Sequence, residues 1–517
     1  MISGGEPGVL VEPEDVHGRG WDAIRLSVSS AIFNGAPRER TAMITGERMA
    51  AVDENAAALG VSQKQLMESS GNAVARAVRE VADRGSSVAV VAGRGNNGGD
   101  AFVAARFLES YDVTTLLLGP AENIGTEIAR ENWEALQHAG YDTHEIADSS
   151  GFELPDCDVV VDAMLGTGIS GELREPAATA AEAINAADAT VVAVDVPSGF
   201  DADAGAVADN AVEADRVVTF HDAKPGLAEL DCELAVADIG IPAAAERDVG
   251  PGDVSLAEPD GREGRAYVIG GGPYTGAPAL AAQAALRTGA ELSFVAAPDA
   301  VAGEIQGYAE DLIVQPYESE ILTPEVAEDL LETATSYDNV VVIGPGLGTD
   351  EETLEAARRF LSGYDGRAVV DADALEVVPE VETDATLVCT PNRGELARMG
   401  GPDADDLAAV ADEIEDFAAE LGHVVLAKGE NDVISDGERT RISRSGTVGM
   451  KVGGTGDTLA GIVAALLEGA EPVDAAAAGA HVNGLAGERL AECHEHGFLA
   501  SELLEELPPT LWGGDDE

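Results

Sequence analysis

Short apolar runs alternate with stretches of helical periodicity along most of the chain. In the first half, apolar runs at residues 88–92, 159–163 and 191–194 are separated by helical patterns such as A-F-V-A-A-R-F-L-E-S at 101–110. Strands and helices that alternate at this spacing imply right-handed βαβ crossovers and a mainly parallel sheet. The sequence therefore predicts an α/β protein, and its clear helical pattern begins at Met43 with M-I-T-G-E-R-M-A-A-V-D.

The alternation is interrupted once, which indicates two domains. The pattern thins after residue 220, and a second series begins with A-Y-V-I-G-G-G at 266–272. Because the two halves carry different glycine motifs, two fused and unrelated α/β domains fit better than a tandem repeat. We predict an N-terminal extension (1–42), either flexible or an over-long start, then a first domain (43–245), a linker rich in proline, glycine and charge (246–263), and a second domain (264–517).

The composition is strongly acidic but not that of a disordered chain. Lys and Arg number 30 against 96 Asp and Glu, so the net charge is −66, which would repel nucleic acid and anionic membranes and argues against both as partners. Hydrophobic residues still make up 45% of the 517 positions and can form cores. An acidic surface with few lysines is typical of proteins that stay soluble in multimolar salt, where screening weakens self-repulsion. We expect a halophilic protein; the alternative is an acidic enzyme of a mesophile.

The sequence also predicts where the protein works. Its four cysteines show no C-x-x-C spacing, and no cationic and apolar leader opens the chain. No uninterrupted apolar stretch of membrane-spanning length occurs. We therefore expect a soluble protein of the cytoplasm.

Glycine-rich polar loops follow three strands of the first half. They are A-G-R-G-N-N-G-G-D-A-F at 92–102, V-V-V-D-A-M-L-G-T-G-I-S-G at 159–171 and V-V-A-V-D-V-P-S-G-F-D-A-D at 191–203. In a parallel sheet these loops emerge at one edge, so Asn97, Asp162, Asp195 and Ser198 can converge on a ligand. Oxygen ligands of low charge suit a hard cation such as potassium better than zinc. The alternative is that the glycines only permit close packing.

The second half carries six glycine-containing or acidic loops in a fixed order. They are G-G-G-P-Y-T-G-A-P at 270–278, V-V-V-I-G-P-G-L-G at 340–348, V-V-D-A-D-A-L at 369–375, C-T-P-N-R-G-E-L at 389–396, V-L-A-K-G-E-N-D at 425–432 and K-V-G-G-T-G-D-T-L-A-G at 451–461. Glycine lets the backbone approach a ligand, and a helix N-terminus favours phosphate. Three of the four lysines, Lys224, Lys428 and Lys451, stand beside glycines, where each can contact a ligand phosphate or a loop carbonyl.

The loops of the first half, with K-P-G-L at Lys224, closely resemble the NAD(P)H-hydrate epimerase family over residues 43–242. The resemblance implies a Rossmann-like parallel sheet, potassium held by Asn97, Asp162 and Ser198, and a catalytic role for Asp195. It implies that NADHX or NADPHX, the hydrated nicotinamide nucleotides, contact Asn96, Asn97, Gly98, Gly99, Asp100, Gly166, Thr167, Gly168, Ile169, Ser170, Gly171, Glu172 and Asp195. Ala101 departs from the family, which usually has glycine there.

From residue 264 onward, the motifs resemble the ribokinase-like superfamily and, within it, the ADP/ATP-dependent NAD(P)H-hydrate dehydratases. This resemblance implies that Asp457 is the acid/base group for phosphoryl transfer from ADP to the C6 hydroxyl of the hydrated ring, with Mg²⁺ on the phosphates and AMP and phosphate as products. It implies contacts to the adenine nucleotide from Lys428, Gly429, Glu430, Asn431, Asp432 and Gly456. It implies contacts to the hydrated nucleotide from Ala277, Gly346, Asn392 and Asp457.

Two positions depart from the dehydratase pattern. Asn392 stands where the family usually has histidine, so only a hydrogen-bonding role survives there, and Lys451 adds a positive charge where small residues are usual. The C-H-E-H run at 493–496 is packed too tightly in sequence for an ordinary zinc site, and we expect D-A-D-A-L to be a structural loop.

Together the motifs predict a bifunctional enzyme that epimerises NADHX and NADPHX at C6 and dehydrates the S form. The first alternative is a small-molecule kinase, because such enzymes share the G-G-T-G-D motif. This alternative assigns no function to the first domain. A nucleotide-sensing or scaffold protein is the non-enzymatic alternative. By analogy with other α/β enzymes we expect a homo-oligomer.

Overall fold

The computed structural model describes residues 43–168, 171–259, 261–262, 264–336 and 340–513. The predicted N-terminal extension (1–42) lies outside these residues. Among the described helices, none is long and apolar enough to cross a membrane.

The first sheet is built from seven parallel strands. Its region comprises α1 (Gly46–Ala58), α2 (Gln63–Val81), β1 (Ser87–Ala92), α3 (Asn96–Phe107), β2 (Asp112–Leu118), α4 (Glu127–Ala139), β3 (Asp142–Ile146), β4 (Val159–Ala163), α5 (Ala177–Asn185), β5 (Thr190–Val194), β6 (Arg216–Phe220) and β7 (Glu233–Ala237). The strand order is β3-β2-β1-β4-β5-β6-β7, and every neighbouring pair is parallel. The order reverses between β1 and β4, where an open α/β sheet forms a crevice for ligands.

The second sheet has nine strands. Its region comprises α6 (Ala243–Arg247), α7 (Pro251–Ala257), β8 (Arg265–Ile269), α8 (Gly276–Arg287), β9 (Leu292–Pro298), α9 (Asp299–Gln306), β10 (Ile313–Tyr317), α10 (Pro324–Ser336), β11 (Val340–Ile343), α11 (Glu351–Gly363), β12 (Arg367–Val370), β13 (Thr386–Cys389), α12 (Arg393–Met399), α13 (Ala411–Leu421), β14 (Val424–Ala427), β15 (Asp432–Ser435), β16 (Thr440–Ser443), α14 (Thr455–Leu466), α15 (Pro472–His494) and α16 (Ala500–Leu511). The order is β10-β9-β8-β11-β12-β13-β14-β15-β16. Pairing is parallel as far as β14, after which β15 and β16 add an antiparallel edge.

Both faces of the sheets are covered, which explains the uninterrupted apolar runs of the strands. In β8, Val268 packs with residues of α8, α14 and α15, whereas Tyr267 and Ile269 pack on the other face with residues of α10 and α11. In β1, Val90 and Val91 likewise belong to cores on opposite faces. Parallel strands buried on both sides need apolar residues at every position. The predicted α/β class with two three-layer sheets is confirmed.

The segment predicted as a linker contains an ordered helix, α7, packed between the two sheet regions. Asn55 of α1 donates to Oδ2 of Asp253 in α7 (2.7 Å), and Arg48 of α1 forms an ion pair with the same carboxylate. Just before α7, the amide of Val249 donates to the carbonyl of Ile442 in β16 (2.9 Å). Asp253 is fully buried. The connection therefore joins α1 to the edge of the second sheet through a buried polar network.

Helix α7 approaches α1 so closely that glycine is required at position 252. A Cβ on Gly252 would lie 2.0 Å from the carbonyl oxygen of Ala51, which is backbone and cannot rotate away. We therefore expect Gly252→Ala to separate α7 from α1 and to lower the free energy of unfolding by about 1–3 kcal/mol, as overpacking does elsewhere.

Thermal and guanidinium unfolding of purified variants in potassium chloride would measure this. The matched control is Gly303→Ala in α9, where an added Cβ meets open space. There the substitution should be neutral or stabilise by up to about 1 kcal/mol, since alanine favours the helix. Equal stabilities for the two variants would contradict the packing argument.

Candidate active sites

A cavity of about 1170 Å³ opens at the carboxyl ends of β1, β4, β5 and β6. The N-N-G-G-D segment forms the first turn of α3, and the G-T-G loop follows β4. The predicted substrate residues that line the cavity are Asn96, Asn97, Asp100, Gly166, Thr167, Gly168, Gly171, Glu172 and Asp195. Topology therefore brings together three loops that are far apart in sequence.

Two of the predicted substrate residues, Gly98 and Gly99, do not line the cavity. Gly98 and Gly99 lie inside the first turn of α3 and are buried; a Cβ on Gly98 would lie 2.1 Å from the carbonyl oxygen of Gly93. Gly98 thus allows α3 to start close to the end of β1, whereas Gly99 allows α3 to pack against Met67 of α2 and Ala129 of α4. Ile169 and Ser170 lie outside the described residues.

The three residues predicted to hold potassium form one polar cluster beside the cavity. The amide and hydroxyl of Ser198 donate to the Asp162 carboxylate (2.8 and 2.7 Å), and both residues are buried. Asn97 donates from Nδ2 to the carbonyl of Leu165 (2.8 Å), while its Oδ1 is buried and has no hydrogen-bond partner in the described part of the chain. An acceptor oxygen left unpaired in a buried place is costly unless a ligand or ion meets it.

Asp195 is held on the cavity wall by a buried lysine. Lys224 donates from Nζ to Oδ1 of Asp195 (2.8 Å), and the Thr219 hydroxyl donates to the same oxygen (3.0 Å). The lysine side chain is only 1% exposed. Asp195 also has a backbone φ of +64°, a region that costs a non-glycine residue about 1–3 kcal/mol and is frequent at functional sites. The sequence left open whether Lys224 contacts a ligand phosphate or a loop carbonyl. In the structure, its ammonium group contacts the Asp195 carboxylate and the carbonyl of Phe220.

Asp53 also lines the cavity, and the sequence analysis did not single it out. It projects from α1 on the same face as Gly46, Met49 and Ala50, which line the cavity too. Burial raises the pKa of Asp53 to about 6, against the opposing charges of His221 and Lys224. The spacing 46, 49, 50, 53 marks one helix face. The sequence therefore contained a signal for Asp53, namely an acidic residue on a helix face that is otherwise mainly apolar.

Asp100 is the third carboxylate on this wall. It accepts a hydrogen bond from the Ser70 hydroxyl of α2, and burial raises its pKa well above the usual range for an aspartate. Ser70 lines the cavity as well. Because Asp53 and Asp195 both push the Asp100 pKa upward, the three carboxylates lie close enough to interact.

The second site lies where β12 to β14 end and α14 begins. The G-G-T-G-D motif turns through Gly454, with φ of +106°, into the first turn of α14, which contains Gly456 and Asp457. A Cβ on Gly456 would lie 3.1 Å from Nζ of Lys428. The motif therefore sets a helix N-terminus beside a lysine, which is a favourable place for a phosphate group.

Lys428 is fixed by an aspartate that the sequence analysis treated as part of a structural loop. Its Nζ donates to Oδ1 of Asp371 (2.7 Å), which also accepts from the Thr390 hydroxyl (2.8 Å). Burial lowers the pKa of Lys428, but the carboxylates of Asp371 and Glu395 outweigh this effect and raise it. The lysine is therefore charged in the site, and the D-A-D-A-L loop takes part in the site through Asp371.

Asp457 has the electrostatic environment of an acid/base group. Burial, and then the negative charge of Asp371, raise its pKa to about 7, whereas Lys428 lowers it and Glu395 raises it further. A carboxyl group that titrates near neutral pH can both accept and return a proton. The carboxylate stands in the first turn of α14, which is held to α15 by Thr458 donating to Asn483 (3.0 Å).

Asn392 caps α12, and this limits what it can offer a ligand. Its Oδ1 accepts hydrogen bonds from the backbone amides of Gly394 and Glu395 (2.9 and 3.1 Å). Its backbone amide donates to Glu395 Oε2 (2.8 Å). The side-chain oxygen is therefore engaged, and Nδ2 is the group left to face a substrate. An imidazole at this position could not form the same capping box.

The remaining predicted residues lie on neighbouring loops. Gly346 has φ of +73°, and a Cβ there would lie 2.3 Å from the carbonyl of Tyr274, so the loop after β11 approaches the loop that leads to Ala277 in α8. Gly429, Glu430 and Asn431 form an exposed or half-exposed turn after β14 that Asp432 closes by accepting from the Gly429 amide (2.9 Å). Lys451 is exposed.

The C-H-E-H run does not form a metal site. Within the described ranges, the one group of ligand-type side chains near enough to hold a metal ion is His221, Asp222 and Glu246. Cys493, His494 and His496 are exposed near the end of α15.

Comparison with known proteins agrees with this two-site architecture. Residues 63–226 match a family model described as YjeF-related protein N-terminus, and residues 266–509 match one described as NAD(P)H-hydrate dehydratase. The bifunctional NAD(P)H-hydrate repair enzyme of Archaeoglobus fulgidus is 41% identical over 480 residues, covering 90% of this chain and 98% of that protein. The chain belongs to this family. The bifunctional repair enzyme of Pyrobaculum aerophilum is 43% identical over 495 residues, with 90% and 98% of the two chains covered.

A solved structure of the ADP/ATP-dependent NAD(P)H-hydrate dehydratase from Bacillus subtilis, crystallised with ATP and Mg²⁺, is 26% identical. It covers 48% of this chain and 88% of its own, with a TM-score of 0.42. The resemblance to the repair family that the loop motifs predicted is confirmed by the end-to-end match of the relatives.

The raised pKa of Asp457 predicts how stability depends on pH. Its folded pKa of about 7 exceeds the ordinary value of 3.8, so the folded protein binds more protons than the unfolded chain between these values. The stability that the protonated form contributes is lost as pH rises through 7. We expect Asp457→Asn to be more stable than wild type, with a gain that grows between pH 4 and 7, levels off above 7, and is on the order of 4 kcal/mol.

Unfolding of both proteins across this pH range in constant salt would measure the difference. The exposed Asp416→Asn in α13 is the control and should show no such gain, because its carboxylate remains hydrated. A difference between Asp457→Asn and wild type that does not change with pH would contradict the electrostatic account.

Proposed function

We propose that the chain repairs hydrated NADH and NADPH in two steps. The first domain interconverts the R and S forms at C6, and the second dehydrates the S form to NAD(P)H with ADP as the phosphoryl donor. The observation that carries the proposal is the match of bifunctional repair enzymes over 98% of their length, so both domains occur together in these relatives. Epimerisation converts the R form into the S form that the second domain accepts, which explains why the two domains are fused.

The epimerisation site is proposed in the cavity of the first domain. The hydrated ring would lie against Asp195, and the loops that contain Asn96, Asp100 and Gly166 to Glu172 would hold the nucleotide. C6 carries a hydroxyl and the ring nitrogen, so removal of the hydroxyl proton allows the N1–C6 bond to break. Closure on the other face of the resulting carbonyl inverts the centre. Lys224 holds Asp195 on the cavity wall through an ion pair, in position to act as the base.

Potassium fits the cluster beside this cavity. The buried and unpartnered Oδ1 of Asn97 supplies a neutral oxygen, Asp162 supplies the compensating charge, and Ser198 supplies a hydroxyl. These are oxygen ligands of the kind that hard monovalent cations take. When bound, the ion would fix the loop after β4 against α3 and add positive charge next to the substrate phosphates.

The dehydration site is proposed at the N-terminus of α14. Asp457 removes the proton of the C6 hydroxyl, whose oxygen attacks the β-phosphorus of ADP, and the bond to the α-phosphate oxygen breaks to release AMP. The C6–O bond then breaks with phosphate as the leaving group, and loss of a proton from C5 restores the ring double bond. Lys428 and the free amides at the start of α14 would neutralise the transferred phosphoryl group.

Magnesium fits the charge of this second site. Asp371 and Glu395 lie near enough to Asp457 to raise its pKa. Lys428 supplies the balancing positive charge beside these carboxylates. An excess of carboxylates around a phosphate-binding position suits a divalent cation that takes oxygen ligands. When bound beside these carboxylates, Mg²⁺ would lower the repulsion between the phosphate oxygens.

The test is recovery of dihydronicotinamide absorbance from a mixture of R and S hydrated NADH, with Mg²⁺ and either ADP or ATP in molar potassium chloride. Wild type should restore the whole mixture with ADP. Asp457→Asn should abolish recovery but retain epimerisation, because Asp457 acts only in the second domain. Asp195→Asn should recover the S fraction and stop there.

Each of these variants is the control for the other, since each spares the activity of the opposite domain. Loss of both activities in either variant would count against the division of labour. Absence of recovery with both nucleotides, together with a stable phosphorylated product, would favour a kinase instead.

Potassium dependence gives a separate test. Replacing potassium chloride with sodium chloride at equal ionic strength should slow epimerisation at least tenfold and leave dehydration of pure S substrate unchanged, because the proposed ion site belongs to the first domain alone. Asn97→Ala should remove the difference between the two salts. Equal epimerisation rates of the wild type in both salts would overturn the potassium assignment.

A further inference from the structure

The first cavity contains an acidic side chain that the proposed mechanism has not yet used. Asp53 faces the cavity from α1, whereas Asp195 faces it from the loop after β5. The Asp53 Oδ1 atom is buried and has no hydrogen-bond partner among the described residues. A buried carboxyl oxygen without a partner is unfavourable in the free protein and is available to a ligand.

The two aspartates differ in what surrounds them. Asp195 accepts hydrogen bonds from the Lys224 ammonium and the Thr219 hydroxyl, which hold it in place. Asp53 lies near His221, Lys224, Asp195 and Asp100, and His221 is itself in contact with Glu246. A carboxylate held by a cation, near a carboxyl group whose oxygen is unpartnered, can supply a base and an acid in one site.

Epimerisation by ring opening needs such a pair. As the base takes the proton of the C6 hydroxyl, electrons of that O–H bond form the C6 carbonyl, the N1–C6 bond breaks, and N1 must receive a proton from an acid. Rotation about the C5–C6 bond presents the other face of the carbonyl. Ring closure then returns the N1 proton to the acid and the base proton to the oxygen, so both groups are regenerated and no co-reactant is consumed.

We infer that Asp53 is the general acid of this epimerisation, with Asp195 as the base. The inference rests on the proposed function of the first domain and names a second catalytic residue for it. The cavity wall, the unpartnered oxygen of Asp53 and the lysine-held charge of Asp195 carry it.

The pH dependence follows from the form of Asp53 that the reaction needs. Burial raises its pKa to about 6, and the positive charges of His221 and Lys224 oppose the rise while Asp195 adds to it. A general acid is active when it is protonated. The kcat/KM for epimerisation, which reports the ionisation of the free enzyme, should therefore fall as pH rises through about 6. The rate of dehydration of the S form should not show this descending limb, that is, it should not fall over the same pH range.

The experiment measures kcat and KM for epimerisation against pH, after subtraction of the uncatalysed rate, for full-length wild type, Asp53→Asn, Asp53→Glu and Glu54→Gln. Asp53→Asn should lower kcat at least 100-fold with little change in KM, consistent with loss of a general acid. Asp53→Glu should keep the descending limb and part of the rate. Glu54→Gln, at an exposed position on the same helix, should match wild type. All four proteins should dehydrate pure S substrate equally.

Each outcome decides the inference. Epimerisation by Asp53→Asn within a few-fold of wild type, or a wild-type profile without the descending limb, would overturn the role of Asp53 while the proposed function stands. If Asp53→Asn also loses dehydration, it is misfolded, and the limb in Asp53→Glu decides the matter: its presence supports the inference and its absence overturns it. A wild type that dehydrates the S form but epimerises nothing would overturn the function of the first domain and the inference with it.

Discussion

Each site depends on a lysine that is paired with an aspartate at the carboxyl edge of its sheet; Lys224 is buried and Lys428 is half-buried. Lys224 bonds Asp195 in the first domain, and Lys428 bonds Asp371 in the second. The chain has only four lysines and a net charge of −66, so these two place positive charge where its surface offers little. Removing one partner of a buried pair typically costs about 3–5 kcal/mol, because the other charge is left uncompensated. The pairs thus fix the electrostatics and the local structure together.

The same topological rule places both sites, because the two sheets share one strand order, which the second sheet extends with β15 and β16. Parallel strands send their carboxyl-terminal loops to one edge, and the functional side chains follow those ends in each domain. Glycines then decide how near the loops come, as Gly98 does at α3 and Gly454 at α14. Between the sheets, α7 and its buried Asp253 join α1 to β16, so the two regions share a packed polar junction.

The alternation of apolar runs and helical patterns was enough to predict two α/β sheets, because parallel strands buried on both faces leave a clear signal. The motifs also placed Asp195 at the end of a strand and Asp457 at the start of a helix. What the pattern missed depends on long-range contacts: Asp371 gains its role only through Lys428, fifty-seven positions away. Asp53 acts from a helix whose partner loops lie far along the chain, and the antiparallel edge of β15 and β16 carries no signal distinct from other short strands.

The most direct measurement is a crystal structure of the full-length protein with hydrated NADH and an ADP analogue that cannot transfer its phosphoryl group. The account predicts two occupied sites. In the first, the hydrated ring lies against Asp53 and Asp195; in the second, its C6 hydroxyl is within hydrogen-bonding distance of Asp457 and the analogue's phosphates face Lys428 and the start of α14. A ring bound away from these carboxylates, or phosphates bound elsewhere, would contradict it.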